Sequence, residues 1–160
     1  MSVDVRRVRE ALQEVVDPEI PVLTIEDLGV LRDVTVGDDG AVEVTITPTY
    51  SGCPAMDVIR SDVERVLAEH GFAGRVRTAL APAWTTDWMS DAGRRKLAEA
   101  GIAPPAPAAP ATGQIAVELI RCPRCGSADT RLVSRFGSTA CKALRACNRC
   151  LEPFDHFKRI

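Results

Sequence analysis

Apolar positions recur at helical spacing at Val5, Val8, Leu12 and Val15, predicting a first helix stopped by Pro18. Val30, Arg32, Val34 and Val36 then alternate with Leu31, Asp33 and Thr35, and Val42, Val44 and Ile46 line one face of a second run. The Gly37-Asp38-Asp39-Gly40 stretch between them has turn chemistry, so the pair reads as a hairpin. Pro54 suits the first position of a helix. Ala55, Ile59, Val63, Val66 and Leu67 give that helix one apolar stripe, and Gly71 ends it. Val76, Thr78 and Leu80 predict a third strand, followed by a short helix at about 91–100. Two helices against one face of a three-stranded sheet make a small two-layer α+β domain.

The pattern breaks at residues 102–113, IAPPAPAAPATG, where four prolines and five alanines predict a semi-rigid extended spacer. This divides the chain into a domain at 1–101, a linker at 102–113 and a tail at 114–160. The charge divides as well. Residues 1–113 carry 11 basic against 18 acidic side chains, a net of −7, and residues 114–160 carry 9 against 4, a net of +5. With 46% apolar and 26% charged residues the 160-residue chain has the composition of a globular protein. No apolar run approaches the roughly 18 residues of a membrane span. The first residues lack the uncharged core of a secretory signal, so the expected location is the cytoplasm. Six cysteines in a reducing compartment point to metal or redox chemistry rather than to disulfides.

Four of the six lie in the tail, in Cys122-Pro123-Arg124-Cys125-Gly126 and Cys147-Asn148-Arg149-Cys150. In such a knuckle a tight turn aims two sulfurs at one ion, and Gly126 permits the positive φ that the turn needs. Two knuckles close a tetrahedral site with no open position, which suits a structural zinc. An iron–sulfur cluster, or a rubredoxin-like iron, on the same thiolates is the alternative. A tail of this length buries too little apolar surface to fold alone, and metal binding would supply the missing stability. Cys141, between the knuckles, is either a small buried side chain or an additional thiolate used in metal transfer, beside Lys142 and Arg145. His156 reads as a core or surface residue.

In the first domain Cys53 follows a Gly-containing loop, Thr47-Pro48-Thr49-Tyr50-Ser51-Gly52, and precedes the helix that begins at Pro54. The helix dipole there favours negative charge on the sulfur; packing under the loop is the other reading. Asp17, Glu19, Glu26 and Asp27 belong to helix-end and turn segments. Trp84 and Trp88, the two tryptophans, serve either the core or a docking surface.

Asp17-Pro18-Glu19, then Asp27-Leu28-Gly29, a hairpin, and a Thr-rich loop closing on Cys53-Pro54 resemble the MIP18 (DUF59) family, which includes iron–sulfur assembly factors. The stretches TPTYSGCPAMDVI, PAWTTDWMSDAGRRKL and CPRCGS…FGSTACKALRACNRCLEPFDHFK are similar to the accessory subunits of bacterial phenylacetyl-CoA ring epoxidases. The resemblance covers nearly the whole chain outside the spacer. It implies a MIP18/DUF59-like domain followed by a zinc ribbon, and a role in aerobic phenylacetate degradation. It also implies partners: the epoxidase subunit that holds a di-iron centre, and the reductase subunit with flavin and a [2Fe–2S] cluster. Cys53 matches the family position linked to cluster handling, and Asp17, Glu19 and Asp27 match motif positions without an assigned role. A single thiol holds a cluster poorly, so a homodimer sharing two copies of Cys53, or an acceptor that supplies ligands, is implied.

The residues themselves favour the same class. Neither a nucleophile–base pair nor a Gly-rich phosphate loop is visible, which speaks against an independent enzyme. Seven basic residues against Asp129 alone between Arg121 and Arg149 raise a nucleic-acid-binding ribbon as a rival. The acidic first domain and an aromatic content of 4% oppose it. A thiol-dependent enzyme using Cys53 is a second rival, opposed by the missing local base.

Overall fold

A computed structural model describes residues 3–107 and 118–160. The second half of the linker expected at 102–113 lies outside the described residues. The chain forms two compact units, 1–93 and 94–160.

In the first unit, helix α1 (Val5–Leu12) is capped by Asp4, whose carboxylate accepts from the Arg6 N–H, and it buries Val8, Ala11 and Leu12. It stops short of Pro18. The β-branched Val15 and Val16 are drawn instead into extended backbone, with Val16 bridging Thr24 and the Val15 carbonyl accepting from the Ile25 N–H. The loop that follows is not a surface connection. It buries Ile20, Leu23, Ile25, Leu28 and Val30.

Strands β1 (Leu31–Val36) and β2 (Val42–Ile46) form the expected antiparallel hairpin, with a register shift between Leu31 and Asp33. That irregularity breaks strict alternation, so Leu31 and Val34 are buried rather than Val34 and Val36. Helix α2 (Ala55–Glu69) carries the predicted stripe, Ala55, Ile59, Val63, Val66 and Leu67, all buried. It leads into β3 (Gly74–Thr78), which pairs parallel to β2 and gives the order β1-β2-β3. Burying each large aliphatic side chain of this stripe contributes about 1.5–3 kcal/mol. On β3, Val76 faces in, while Arg75 and Arg77 face out and pair with Glu43 of β2 at 2.7 and 3.3 Å. Leu80, expected on this strand, lies beyond its end and is 68% exposed.

Helix α3 (Asp91–Glu99) contains the boundary between the two units. The second unit is a four-stranded sheet of β4 (Ile102–Ala103), β5 (Thr130–Ser134), β6 (Lys142–Cys147) and β7 (Pro153–Phe157), in the order β4-β7-β6-β5. Ile102 and Ala103, expected to open the spacer, instead pair parallel to Asp155 and His156. Pro104 and Pro105 follow and end the pairing, since proline brings no N–H to a ladder. Arg94 then donates to the Pro105 carbonyl at 2.7 Å. Leu97, Ala143, Ala146 and Phe157 are buried in this unit. A small cluster near the knuckles joins Ala103, Ile120, Cys122, Cys147 and Phe154, with Cys150 packed against it. Three of those six residues are metal-ligand candidates, so little of this cluster is ordinary apolar packing.

Among the described residues no helix is long and apolar enough to cross a membrane.

Candidate functional site

The two knuckles sit on β-turn geometry at the same end of the ribbon sheet. Each second cysteine is followed by a residue in the left-handed region, Gly126 at φ 73° and Leu151 at φ 64°. In the first knuckle the Gly126 N–H donates to the Cys122 carbonyl at 2.8 Å, and the Cys122 N–H donates to the Ser127 carbonyl at 2.9 Å. In the second the Cys147 N–H donates to the Glu152 carbonyl, and the Cys150 N–H reaches Cys147 Sγ at 3.4 Å. Asn148 ties this knuckle to the loop after the first. Its backbone N–H donates to the Asp129 carbonyl and its side-chain amide to the Asp129 carboxylate.

This folding brings Cys122, Cys125, Cys147 and Cys150 together with every Sγ within 4.8 Å of the others. Cys122 and Cys150 stand 3.6 Å apart, as do Cys125 and Cys147. Two thiolates bound tetrahedrally to one zinc at about 2.3 Å stand about 3.8 Å apart, close to these separations. The donor set therefore fits one tetrahedral ion. A multi-iron cluster would distribute the four sulfurs over different irons and spread them further apart. The chemistry of the thiols agrees. The Cys150 backbone N–H aimed at Cys147 Sγ holds that thiol down at about 7. Cys150 accepts from the Glu152 N–H, yet burial and the three neighbouring thiols outweigh that bond and keep it up at about 12. Four thiols this close cannot all ionise unless a cation offsets their repulsion. The four thiols have the spacing and the chemistry that a metal-binding centre requires.

Across it, Arg124 of the first knuckle pairs with Glu152 just after the second, at 2.6 Å. The opposite charges beside the two knuckles were the available sequence signal for this clasp. Leu151 carried none. Its side chain is 76% exposed, so its left-handed backbone is strain without packing in return. Leu151→Gly is expected to stabilise the ribbon by about 0.5 kcal/mol, the relieved strain exceeding the added flexibility of the unfolded chain. A denaturation midpoint that falls would contradict this.

Cys141 lies outside the cluster. It precedes Lys142 at the far end of β6 from Cys147, roughly 20 Å away at 3.3 Å per residue, which removes it as a fifth ligand to the same ion in this fold. It is buried, with the Thr139 hydroxyl 3.0 Å from its sulfur. His156 is buried too. Burial lowers its pKa against the pull of Glu118, whose carboxylate lies 3.5 Å from Nε2 without hydrogen-bonding it.

In the first unit Cys53 is half-buried, on a turn in which its N–H donates to the Tyr50 carbonyl and Gly52 holds φ 78°. The Met56 N–H donates to the Cys53 carbonyl, so the residue forms the lead-in to α2. The motif acids divide. Asp17 is buried, and its carboxylate accepts from the Glu19 and Ile20 N–H groups at 2.9 and 2.8 Å. Asp27 is buried as well, accepting from the Thr24 N–H and from the Ser90 hydroxyl, while its own N–H donates to Thr24 Oγ1. Both carboxylates hold turns. Glu19 is exposed. Trp84 is core, donating from Nε1 to the Leu28 carbonyl at 3.0 Å. Trp88 is half-buried beneath Arg32, whose guanidinium carbon stands 3.4 Å from the ring centroid.

Comparison with known proteins matches both units. Residues 106–158 match the PaaD zinc beta ribbon domain, and residues 6–80 match the family described as iron-sulfur cluster assembly protein. The chain is 50% identical, over 93% of its length and 89% of the other's, to an Escherichia coli protein named as a putative 1,2-phenylacetyl-CoA epoxidase subunit. The chain belongs to the PaaD family of phenylacetyl-CoA epoxidase subunits. Over 82 residues it is also 44% identical to an Fe-S protein maturation auxiliary factor of Porphyromonas gingivalis, covering 50% of this chain and 77% of that one. A crystal structure of a DUF59 domain from Bacillus anthracis superposes with a TM-score of 0.55 at 30% identity, covering 58% of this chain and 90% of that one. The PaaD family thus joins an α+β domain of the DUF59 type to a cysteine-rich ribbon, as the resemblance of the sequence implied.

Proposed function

We propose that this PaaD family member is a non-catalytic accessory component of a phenylacetyl-CoA epoxidase, and that it delivers iron or an iron–sulfur cluster to the other subunits. The observation that carries this reading is the presence of two thiol sites of opposite character. The ribbon offers four converging thiols and leaves no coordination position open, which suits a resident zinc that holds the fold. Cys53 offers one half-buried thiol on a glycine turn at the head of a helix, which suits a ligand that is taken up and released. Residues 6–80, which contain Cys53, match the family described as iron-sulfur cluster assembly protein. One thiolate supplies one ligand, so the remaining ligands to the cargo come from a second copy of Cys53 or from the acceptor. The histidines support a carrier over an enzyme: His70 pairs with Glu14 at 2.8 Å, and His156 belongs to the ribbon.

Coexpression of the epoxidase and reductase subunits with wild type or Cys53→Ser tests this. The variant is expected to keep its melting transition, since the swap changes little volume, while iron per partner protein falls severalfold. Fully metallated partners alongside the variant would make Cys53 a structural residue.

A further inference from the structure

The segment Phe136-Gly137-Ser138-Thr139-Ala140-Cys141-Lys142 contributes nothing to the metal centre, yet it is heavily braced. Lys142 is buried with its ammonium 3.7 Å from the Asp155 carboxylate. The same carboxylate accepts from the Ser138 hydroxyl at 3.2 Å. The Gly137 N–H donates to the Lys142 carbonyl at 2.7 Å, and a Cβ on Gly137 would lie 2.7 Å from Asp155 Oδ1. Ser134 Oγ accepts from the Phe136 N–H and donates to the Phe136 carbonyl. All this fixes a loop whose most prominent side chain, Phe136, is 67% exposed. Beside it, the terminal strand β5 exposes Leu132 and Val133, each at 49%.

An aromatic held out on a rigid loop next to exposed aliphatics is costly to leave in water, and it has the form of an interface anchor. The charges around it set the partner. Arg131 and Arg135, on the stretch leading into the loop, are exposed, and Lys158 stands over the Phe136 ring at 4.6 Å while donating to the Arg135 carbonyl.

We infer that β5 and the Phe136 loop form a docking surface for an acidic protein partner, with Phe136 entering an apolar pocket and Arg131, Arg135 and Lys158 meeting carboxylates on its rim. The inference rests on the reading of the chain as a factor acting on other epoxidase subunits, and it assigns the ribbon the task of holding them.

Binding of the metal-loaded full-length chain to each purified epoxidase and reductase subunit is the test, with Phe136→Ser and Arg135→Glu as variants. Both are expected to weaken Kd about tenfold or more with metal content and melting unchanged, and the Arg135→Glu effect shrinks as salt is raised. Phe136→Leu, which keeps an apolar anchor, guards against misfolding and should retain most of the affinity. Unchanged affinity in both variants overturns the surface. So does wild type that binds none of these proteins, or binds only a thymidine-only single strand, or only self-associates through Phe136. In each of those cases iron delivery that still depends on Cys53 leaves the carrier reading standing; delivery independent of Cys53 removes that reading separately.

Discussion

Cys122→Ser or Cys150→Ser is expected to unfold residues 94–160 and leave the first unit with its own melting transition. Around the knuckles Ala103, Ile120 and Phe154 pack against three of the candidate metal ligands, so that end of the sheet depends on the metal as well as on hydrophobic burial to offset the conformational entropy of ordering the strands. Binding of a structural zinc to a four-ligand site is worth roughly 10–16 kcal/mol in small domains, and losing one thiolate removes most of it. The first unit has a separate core in α1, α2 and the three-stranded sheet, with residues such as Leu12, Ile46, Ile59 and Val63 fully buried. Metal analysis together with amide NMR of each variant checks both halves of the expectation. Full metal loading with either serine would show that the ligands are misassigned, and stoichiometric iron with sulfide in wild type would replace zinc by a cluster.

The second large effect is expected at Gly29. A Cβ built there would lie 2.6 Å from the Trp88 carbonyl oxygen and 2.8 Å from its carbonyl carbon, and the backbone sits at φ +78°. Gly52 has the same φ with nothing within 4 Å. The pair therefore separates two costs. Gly52→Ala carries the left-handed backbone alone, about 1 kcal/mol. Gly29→Ala must also displace a segment of main chain, and a loss of about 3 kcal/mol or more is expected. For a unit of this size that lowers the melting midpoint by about 12 °C or more, against about 4–8 °C for Gly52→Ala. Equal shifts would mean that the Trp88 segment yields freely. The same geometry gives a physical reason for the Asp27-Leu28-Gly29 motif. Asp27 pins Ser90 and Leu28 receives the Trp84 indole, and only a glycine lets the chain pass Trp88.

Elements with a periodic signal were legible in the sequence. The α2 stripe, the hairpin and the two knuckles all stand where spacing placed them, because burial on one face or two sulfurs on one ion leave a regular trace. What lacked a trace was missed. Strand β4 has two residues, too few for alternation, and lies at the mouth of a Pro/Ala run whose composition signals extended backbone without saying whether it pairs. The early end of α1 depends on Val16 finding Thr24, a tertiary event. The left-handed Leu151 contradicts residue preference outright. Trp84 and Trp88 were open between core and surface because an indole serves either, and the Leu28 carbonyl that decides for Trp84 lies far from it in sequence. Cys141 was open for a similar reason: proximity in sequence to Cys147 becomes distance once the intervening residues are laid out along β6.

The pairing of β4 with β7 has a consequence for how such a chain can be divided. The proline-rich stretch reads as a tether between two modules, but one strand of the ribbon sheet lies before it and three lie after it. The stretch falls within the second unit. A ribbon transplanted from one family member to another by cutting at the prolines would leave its first strand behind and expose the edge of β7 that Ile102 and Ala103 cover. The exchangeable cassette begins upstream, in α3, where the units themselves divide.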